Sequence, residues 1–114
     1  EKAFAAAAAM RNGIKIAKKY NVKMALGTDS SVIPHGTNGH EFTLMVEWGG
    51  LTPMESIVAG TMGGATLLGW DKKIGSLEPG KWADIVAVAG NPLMDIHRIE
   101  STVFVMKNGV IYKH

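Results

Sequence analysis

The sequence predicts an α/β fold, and three observations support this prediction. Residues 2–20 have the apolar periodicity of a helix, and a short apolar run of strand length, 22–27, follows and ends in polar residues. A helix, a short turn, a buried strand and a polar loop form the repeating unit of a parallel α/β sheet. A further helix is predicted after Thr52, and beyond Trp70 the sequence changes to short β segments.

The composition is that of an ordinary globular domain. The chain has 114 residues, 46% of them hydrophobic, and its 12 basic and 10 acidic residues form no block that nucleic acid or an acidic membrane could bind. It has no cysteine, so any metal must be bound by His, Asp or Glu. No apolar run reaches the roughly 20 residues of a membrane span and no secretory signal is recognisable, so we expect a cytoplasmic protein. The length excludes a complete (β/α)₈ barrel, which needs roughly 250 residues.

The first helix is predicted to be amphipathic and to end at Asn21, a residue that commonly stops helices. Its apolar face consists of Ala3, Ala7, Met10, Ile14 and Ala17. The strand 22–27 then leads into a polar loop, and a short helix is predicted over 40–48.

The next helix has a strong start signal, because Thr52 can act as the N-cap, Pro53 occupies the first helical position and Glu55 completes a capping box. We expect it to run to about Leu68. Three glycines within it predict close packing against a neighbour: Gly60, Gly63 and Gly64. The predicted buried face consists of Met54, Ile57, Val58, Thr61, Ala65 and Leu68.

The tail is predicted to be β-rich. Residues 84–89 alternate into an apolar strand, and residues 91–99 are expected to form a loop because Pro92 disfavours a central strand. Two strands, 102–107 and 110–113, flank Asn108-Gly109, which is the strongest short hairpin signal.

Asp29 is the first candidate for a catalytic or metal-binding residue. It directly follows the predicted buried strand, a rigid and partly desolvated position where a carboxylate can bind a metal or move a proton. Aspartate is also an ordinary residue of turns and helix caps, so the spacing alone leaves both interpretations open.

The histidines give weaker signals, since none of the four pairs at metal-binding spacing. His35 lies six residues after Asp29 and could face the same cavity, although a loop histidine is also typical of a solvated turn. His40 is expected at a helix start, whereas His97 and His114 lie in the tail and receive no role.

Five segments in order carry a family resemblance: residues 25–30, 34–36, 51–56, 65–69 and 74–86. Together they make the chain resemble the C-terminal part of metal-dependent amidohydrolases, particularly the branch of imidazolonepropionase-like enzymes and Xaa-Pro dipeptidases. The triplet Gly27-Thr28-Asp29 is weakly specific alone. Followed by the capped helix and by the run from Gly75 to Asp84, it becomes a specific pattern.

The resemblance implies the C-terminal portion of a TIM-type (β/α)₈ barrel followed by part of a small β-sandwich, incomplete as a stand-alone fold. Residues 1–69 would be the last helix-strand-helix portion of the barrel, and residues 70–114 the strands of the accessory sandwich. Asp29 would bind a divalent metal, with zinc as the first expectation, and would move a proton between the metal-activated water and the leaving amine. His35 would contact substrate. The family's other metal ligands have no counterpart in these residues, so we expect them in a missing N-terminal part.

The resemblance implies a parent enzyme that cleaves amide or peptide C–N bonds, with a small dipeptide-like substrate as the leading expectation. The alternative within this class is a cyclic amidohydrolase or a deaminase. An alternative of another class is a non-catalytic assembly or binding domain, which the missing ligands would favour for these 114 residues alone. An incomplete barrel would expose a strand edge, so we also expect a homo-oligomer.

Overall fold

A computed structural model describes residues 2–114 and gives a small α/β structure with a three-stranded antiparallel sheet. None of the helices in this range is long and apolar enough to cross a membrane. The helical elements are α1 (Lys2–Lys19), α2 (His40–Glu47), α3 (Pro53–Val58), a π-helical turn (Ala59–Gly63), α4 (Gly64–Leu67) and a 3₁₀ turn (Ile96–Glu100). The strands are β1 (Ile85–Val88), β2 (Thr102–Lys107) and β3 (Val110–Lys113).

Helix α1 forms where the sequence predicts it, and its C-terminus is closed as expected. Asn21 adopts a left-handed φ of +55°. Its N–H donates to the Lys18 carbonyl at 3.0 Å while the Val22 N–H donates to the Ala17 carbonyl at 2.9 Å, which is a Schellman arrangement. Only part of the predicted face is covered: Ala7, Ile14 and Ala17 are half-buried, whereas Ala3 and Met10 are exposed.

The segment 22–27 corrects one prediction, because it is not a hydrogen-bonded strand within residues 2–114. A strand needs a neighbouring strand to complete its ladder, and here the neighbour is a helix: the Leu26 N–H donates to the Ala59 carbonyl at 3.1 Å. The apolar side chains of this segment nevertheless pack against the core. Met24 and Leu26 lie against the core formed by Met45, Leu51 and Ala59.

Helix α3 begins with the predicted capping box. The Glu55 N–H donates to Thr52 Oγ1 at 3.2 Å, and the Thr52 N–H donates to Glu55 Oε2 at 2.7 Å. Lys18 of α1 donates to the same carboxylate oxygen at 2.8 Å. This Lys18 hydrogen bond, followed by that from the Thr52 backbone, lowers the pKa of Glu55 to about 2. The cap thus joins α1 to α3.

The buried face of this helix differs in part from the predicted one. Of the predicted residues, Ala65 is buried and Ile57 is half-buried, whereas the others are exposed: Met54, Val58, Thr61 and Leu68. Ser56 and Ala59 are buried instead. Close approach explains the difference: the Ser56 hydroxyl donates to the Phe42 carbonyl at 3.0 Å, and a Cβ at Gly60 would clash with the Phe42 ring. The π-helical turn also adds a residue to one turn, which rotates the following side chains away from a regular 3.6-residue pattern.

The sheet has the order β1-β2-β3, with Val86 opposite Val105 and Lys107 opposite Val110. Asn108 and Gly109 form the predicted two-residue turn, with φ values of +49° and +80° that fit type I′ geometry. Asp84 stabilises the turn, because its Oδ1 accepts a hydrogen bond from the Asn108 N–H at 2.7 Å and its Oδ2 forms an ion pair with Lys107. These contacts, led by Lys107, lower the pKa of Asp84.

We predict that Gly63→Ala destabilises the protein. A Cβ at Gly63 would clash with the Met24 carbonyl oxygen, so the segment that leads to Asp29 must shift. Overpacking of this kind costs about 1–3 kcal/mol of unfolding free energy, which urea denaturation measures.

The matched control is Gly64→Ala, whose Cβ would lie 4.0 Å from its nearest neighbour, the Ala59 carbonyl oxygen. Alanine is the better helix former by about 1 kcal/mol, so this variant should be neutral or more stable. A Gly63→Ala variant as stable as Gly64→Ala would contradict the close approach.

Candidate active-site loop

Asp29 lies three residues beyond Leu26, at the point where the chain leaves the core. Its side chain is exposed within residues 2–114 and its φ is +46°, in the left-handed region. This conformation costs an L-residue about 1–2 kcal/mol, and such strained residues cluster at functional sites. The Val32 N–H donates to the Asp29 carbonyl at 2.8 Å and closes a tight turn after it.

The residues on both sides of Asp29 are held by one side chain. The Asn38 amide donates to Thr28 Oγ1 at 3.0 Å and to Ser30 Oγ at 2.8 Å. The two hydroxyls are 2.8 Å apart and share a further hydrogen bond. We call this triangle of Thr28, Ser30 and Asn38 the hydroxyl–amide clamp.

The clamp is connected to a packed part of the fold through the start of α2. The Glu41 N–H donates to the Asn38 carbonyl at 3.2 Å. A Cβ at Gly39 would lie 2.9 Å from the Ile99 carbonyl oxygen and 3.0 Å from Glu100 Cα, so this position approaches the 3₁₀ turn closely. Helix α2 and the 3₁₀ turn therefore fix the position of Asn38.

A second polar cluster lies between α2 and the 3₁₀ turn. Glu100 Oε1 accepts from the Thr43 hydroxyl at 2.5 Å and pairs with His40 Nδ1 at 3.1 Å. His97 lies between the carboxylates of Glu47 and Glu100, at 3.0 and 3.5 Å. The hydrogen bond from Thr43, followed by that from His40, lowers the pKa of Glu100. The sequence assigned no role to His97, yet this residue helps to join the tail to α2.

The second predicted site residue, His35, is exposed, and its side chain makes no hydrogen bond within residues 2–114. It belongs to the same loop as Asp29. A cavity of about 470 Å³ opens beside this loop and is lined by its neighbours Pro34 and Gly36 and by His40 and Glu100. A substrate-binding role for His35 stays a prediction.

The residues in the described range do not make a metal site by themselves. No group of three or more His, Asp or Glu side chains between residues 2 and 114 is arranged to hold an ion. Catalytic metal sites normally use at least three protein ligands. Asp29 therefore fits a metal only as one carboxylate of a site completed by other residues.

Comparison with known proteins identifies the family. Residues 2–113 match the model of the amidohydrolase family. The chain belongs to this family. It is 37% identical to the ochratoxinase of Aspergillus niger over 99 residues, and this alignment covers 83% of this chain and 20% of that protein. It is 36% identical over 80 residues to the imidazolonepropionase of Erwinia tasmaniensis, covering 67% of this chain and 19% of that protein.

The fold agrees with that of a solved structure. A Xaa-Pro dipeptidase crystallised with methionine in its active site superposes with a TM-score of 0.86 at 43% identity, covering 91% of this chain and 25% of that one. The chain thus spans about a fifth to a quarter of the length of these amidohydrolase relatives.

Sequence reasoning missed the clamp around Asp29 in this amidohydrolase segment. Thr28, Ser30 and Asn38 are all common turn residues, so the pattern carried no distinct functional signal. Asn38 precedes a helix and would pass as an N-cap. The structure instead gives the cap position to Gly39, without a side-chain cap, and directs the Asn38 amide across the loop.

We predict that Glu100→Gln removes a pH-dependent part of the stability. The pKa of Glu100 is lowered in the folded protein, so its carboxylate stabilises the fold fully above its ordinary value of 4.5 and loses this effect as the pH falls through the lowered pKa. The side chain is 33% exposed, which limits the effect to about 1 kcal/mol or less.

Unfolding free energies of both proteins between pH 3 and pH 7 check this expectation, and the difference should become smaller towards the acid end. Glu41→Gln on the neighbouring helix α2 is the matched control, because its side chain makes no hydrogen bond in the part of the chain that the structure describes. A difference that persists unchanged at the acid end would refute the assignment.

Proposed function

We propose that the protein containing this chain is a hydrolase that cleaves amide or peptide C–N bonds, and that Asp29 is its catalytic carboxylate. One observation carries the proposal. Asp29 follows a packed apolar segment, has a strained left-handed backbone and is flanked by two clamped hydroxyls, in a chain that matches the amidohydrolase family over residues 2–113. Strain maintained in this way is typical of functional positions.

The proposal includes a division of the chain. Residues 1–69 would contribute the last helix-strand-helix portion of a (β/α)₈ barrel, and residues 70–114 part of an accessory sandwich. The segment 22–27 supports this, because it has the apolar side chains of a buried strand, whereas within residues 2–114 its backbone N–H groups donate only at Val22, to α1, and at Leu26, to the π-helical turn. Buried backbone groups need partners, and strands from an N-terminal part of the same protein would supply them.

In the proposed reaction Asp29 moves a proton. Its carboxylate accepts the proton of the attacking water and delivers it to the nitrogen of the leaving amine. A divalent metal, with zinc as the proposed ion, would lower the pKa of that water. Asp29 would be one ligand to this metal, and the remaining ligands would come from residues outside 2–114.

The proposed substrate is dipeptide-like. The Xaa-Pro dipeptidase, at 43% identity over 91% of this chain, supports this choice. The imidazolonepropionase, at 36% identity over 67% of the chain, supports a cyclic amidohydrolase as the second candidate. Assays of the full-length protein with Xaa-Pro dipeptides and with cyclic amides separate the two. A cytoplasmic location and a homo-oligomer stay predictions.

Asp29→Asn in the full-length protein is the decisive variant. The change is nearly isosteric but removes the proton acceptor, so we expect hydrolysis to fall by about 10²–10⁴-fold while the circular dichroism spectrum is unchanged. The exposed Asp71, which makes no side-chain hydrogen bond within residues 2–114, provides the control variant Asp71→Asn. Near-normal turnover by Asp29→Asn would remove Asp29 from the mechanism.

His35→Ala tests the proposed substrate contact. The residue lies in the loop that follows Asp29 and is exposed within the described range. Loss of a binding contact that is equal in the ground and transition states raises KM at unchanged kcat, and we expect KM to rise about 10-fold, as for about 1.4 kcal/mol. Unchanged kinetic constants would exclude His35 from the substrate site.

A further inference from the structure

The left-handed backbone of Asp29 must be held in place by neighbouring groups if its carboxylate acts as proposed. A carboxylate that moves a proton must lie within hydrogen-bond reach of the reacting atoms, so its backbone must be fixed as well as its side chain. The φ of +46° at Asp29 lies in the left-handed region, which non-glycine residues adopt infrequently, although aspartate tolerates it in turns.

The hydroxyl–amide clamp supplies that support from both sides of the residue. The Asn38 amide group has two N–H donors. Its nitrogen donates to Thr28, directly before Asp29, and to Ser30, directly after it. The hydrogen bond between these two hydroxyls, at 2.8 Å, closes the triangle across the strained residue.

The clamp adjoins a closely packed part of the fold. Asn38 directly precedes Gly39, which approaches the backbone of the 3₁₀ turn so closely that a Cβ would lie 2.9 Å from the Ile99 carbonyl oxygen. A displacement of Asn38 would therefore disturb the packing between α2 and the 3₁₀ turn. The loop around Asp29 takes its position from that packing.

From this geometry we propose that Asn38 is a positioning residue for Asp29, acting through the hydroxyls of Thr28 and Ser30. The inference rests on the proposed function, because it assigns Asn38 a role in turnover only if Asp29 is the catalytic carboxylate. Asn38 contacts the two flanking hydroxyls and is assigned no contact with the reacting atoms. Its loss should reduce kcat and leave KM largely unchanged.

The first test is Asn38→Leu in the full-length protein, which keeps the approximate size of the side chain and removes both donors. Misplacement of a catalytic group by about 1 Å can cost 10²-fold, so we expect kcat to fall about 10–100-fold with KM within about threefold. A rise in KM at constant kcat would mean that Asn38 binds substrate, and would overturn the proposal.

Two substitutions at Thr28, one without and one with a hydroxyl, test the proposal if Asn38→Leu does not fold. Thr28→Val removes the hydroxyl at nearly constant shape and should reduce kcat as Asn38→Leu does. Thr28→Ser retains the hydroxyl and should restore most of the activity. Equal kcat values for the Val and Ser variants would contradict the clamp.

Turnover of the double variant Asp29→Asn/Asn38→Leu distinguishes the positioning role of Asn38 from the proposed catalytic role of Asp29. If Asn38 acts through Asp29, adding Asn38→Leu to Asp29→Asn should cause no further loss of kcat, and a full additional loss would overturn the positioning role. Near-normal activity of Asp29→Asn alone would overturn the proposed function. An inactive Asp29→Asn together with a normal kcat for Asn38→Leu would overturn only the positioning role.

Discussion

Met24 and Leu26 pack against a small core of Met45, Leu51 and Ala59, and the rest of the candidate site depends on this contact. It fixes the segment 22–27 between helices, and the chain then leaves the core only three residues before Asp29. Burial of these side chains removes apolar surface from water. The position of the carboxylate therefore follows from the packing of residues that have no chemistry of their own.

The contact requires small residues on the neighbouring helix. Gly63 lies where a Cβ would clash with the Met24 carbonyl oxygen, and the Ala59 carbonyl accepts from the Leu26 N–H. Both residues belong to the π-helical turn, and such turns are frequent at functional sites. Gly63 is thus explained by the approach of the segment that leads to Asp29 and Gly60 by the Phe42 ring, whereas no close approach explains Gly64. Helix propensity does not favour any of these glycines.

Local chemistry made much of the fold predictable. The capping box of Thr52 and Glu55 and the Asn108-Gly109 turn both depend on residues close in sequence, and both are confirmed. The buried face of the capped helix was predicted only in part. A regular 3.6-residue period does not describe the residues that follow the π-helical turn, and Ser56, which precedes the turn, is buried by its contact with Phe42. The segment 22–27 is not a hydrogen-bonded strand within residues 2–114. A strand needs a neighbouring strand to pair with, and the sequence pattern of the segment does not show whether one lies beside it.

The candidate site was predictable only in part for the same reason. Asp29 stood out because it follows an apolar run, which is local information. Asn38 lies ten positions from Thr28 and eight from Ser30, and a link across a loop leaves no periodic signal. His97 is 50 residues from Glu47, so its place beside α2 could be known only from the tertiary structure.

A crystal structure of the full-length protein with a non-hydrolysable dipeptide analogue would test the central claim most directly. We expect residues 22–27 to be paired with neighbouring strands, and an Asp29 carboxylate oxygen to lie about 2.6–3.2 Å from the reacting group of the analogue or to be linked to it by one water. An Asp29 carboxylate that faces bulk solvent, with the analogue bound elsewhere, would contradict it.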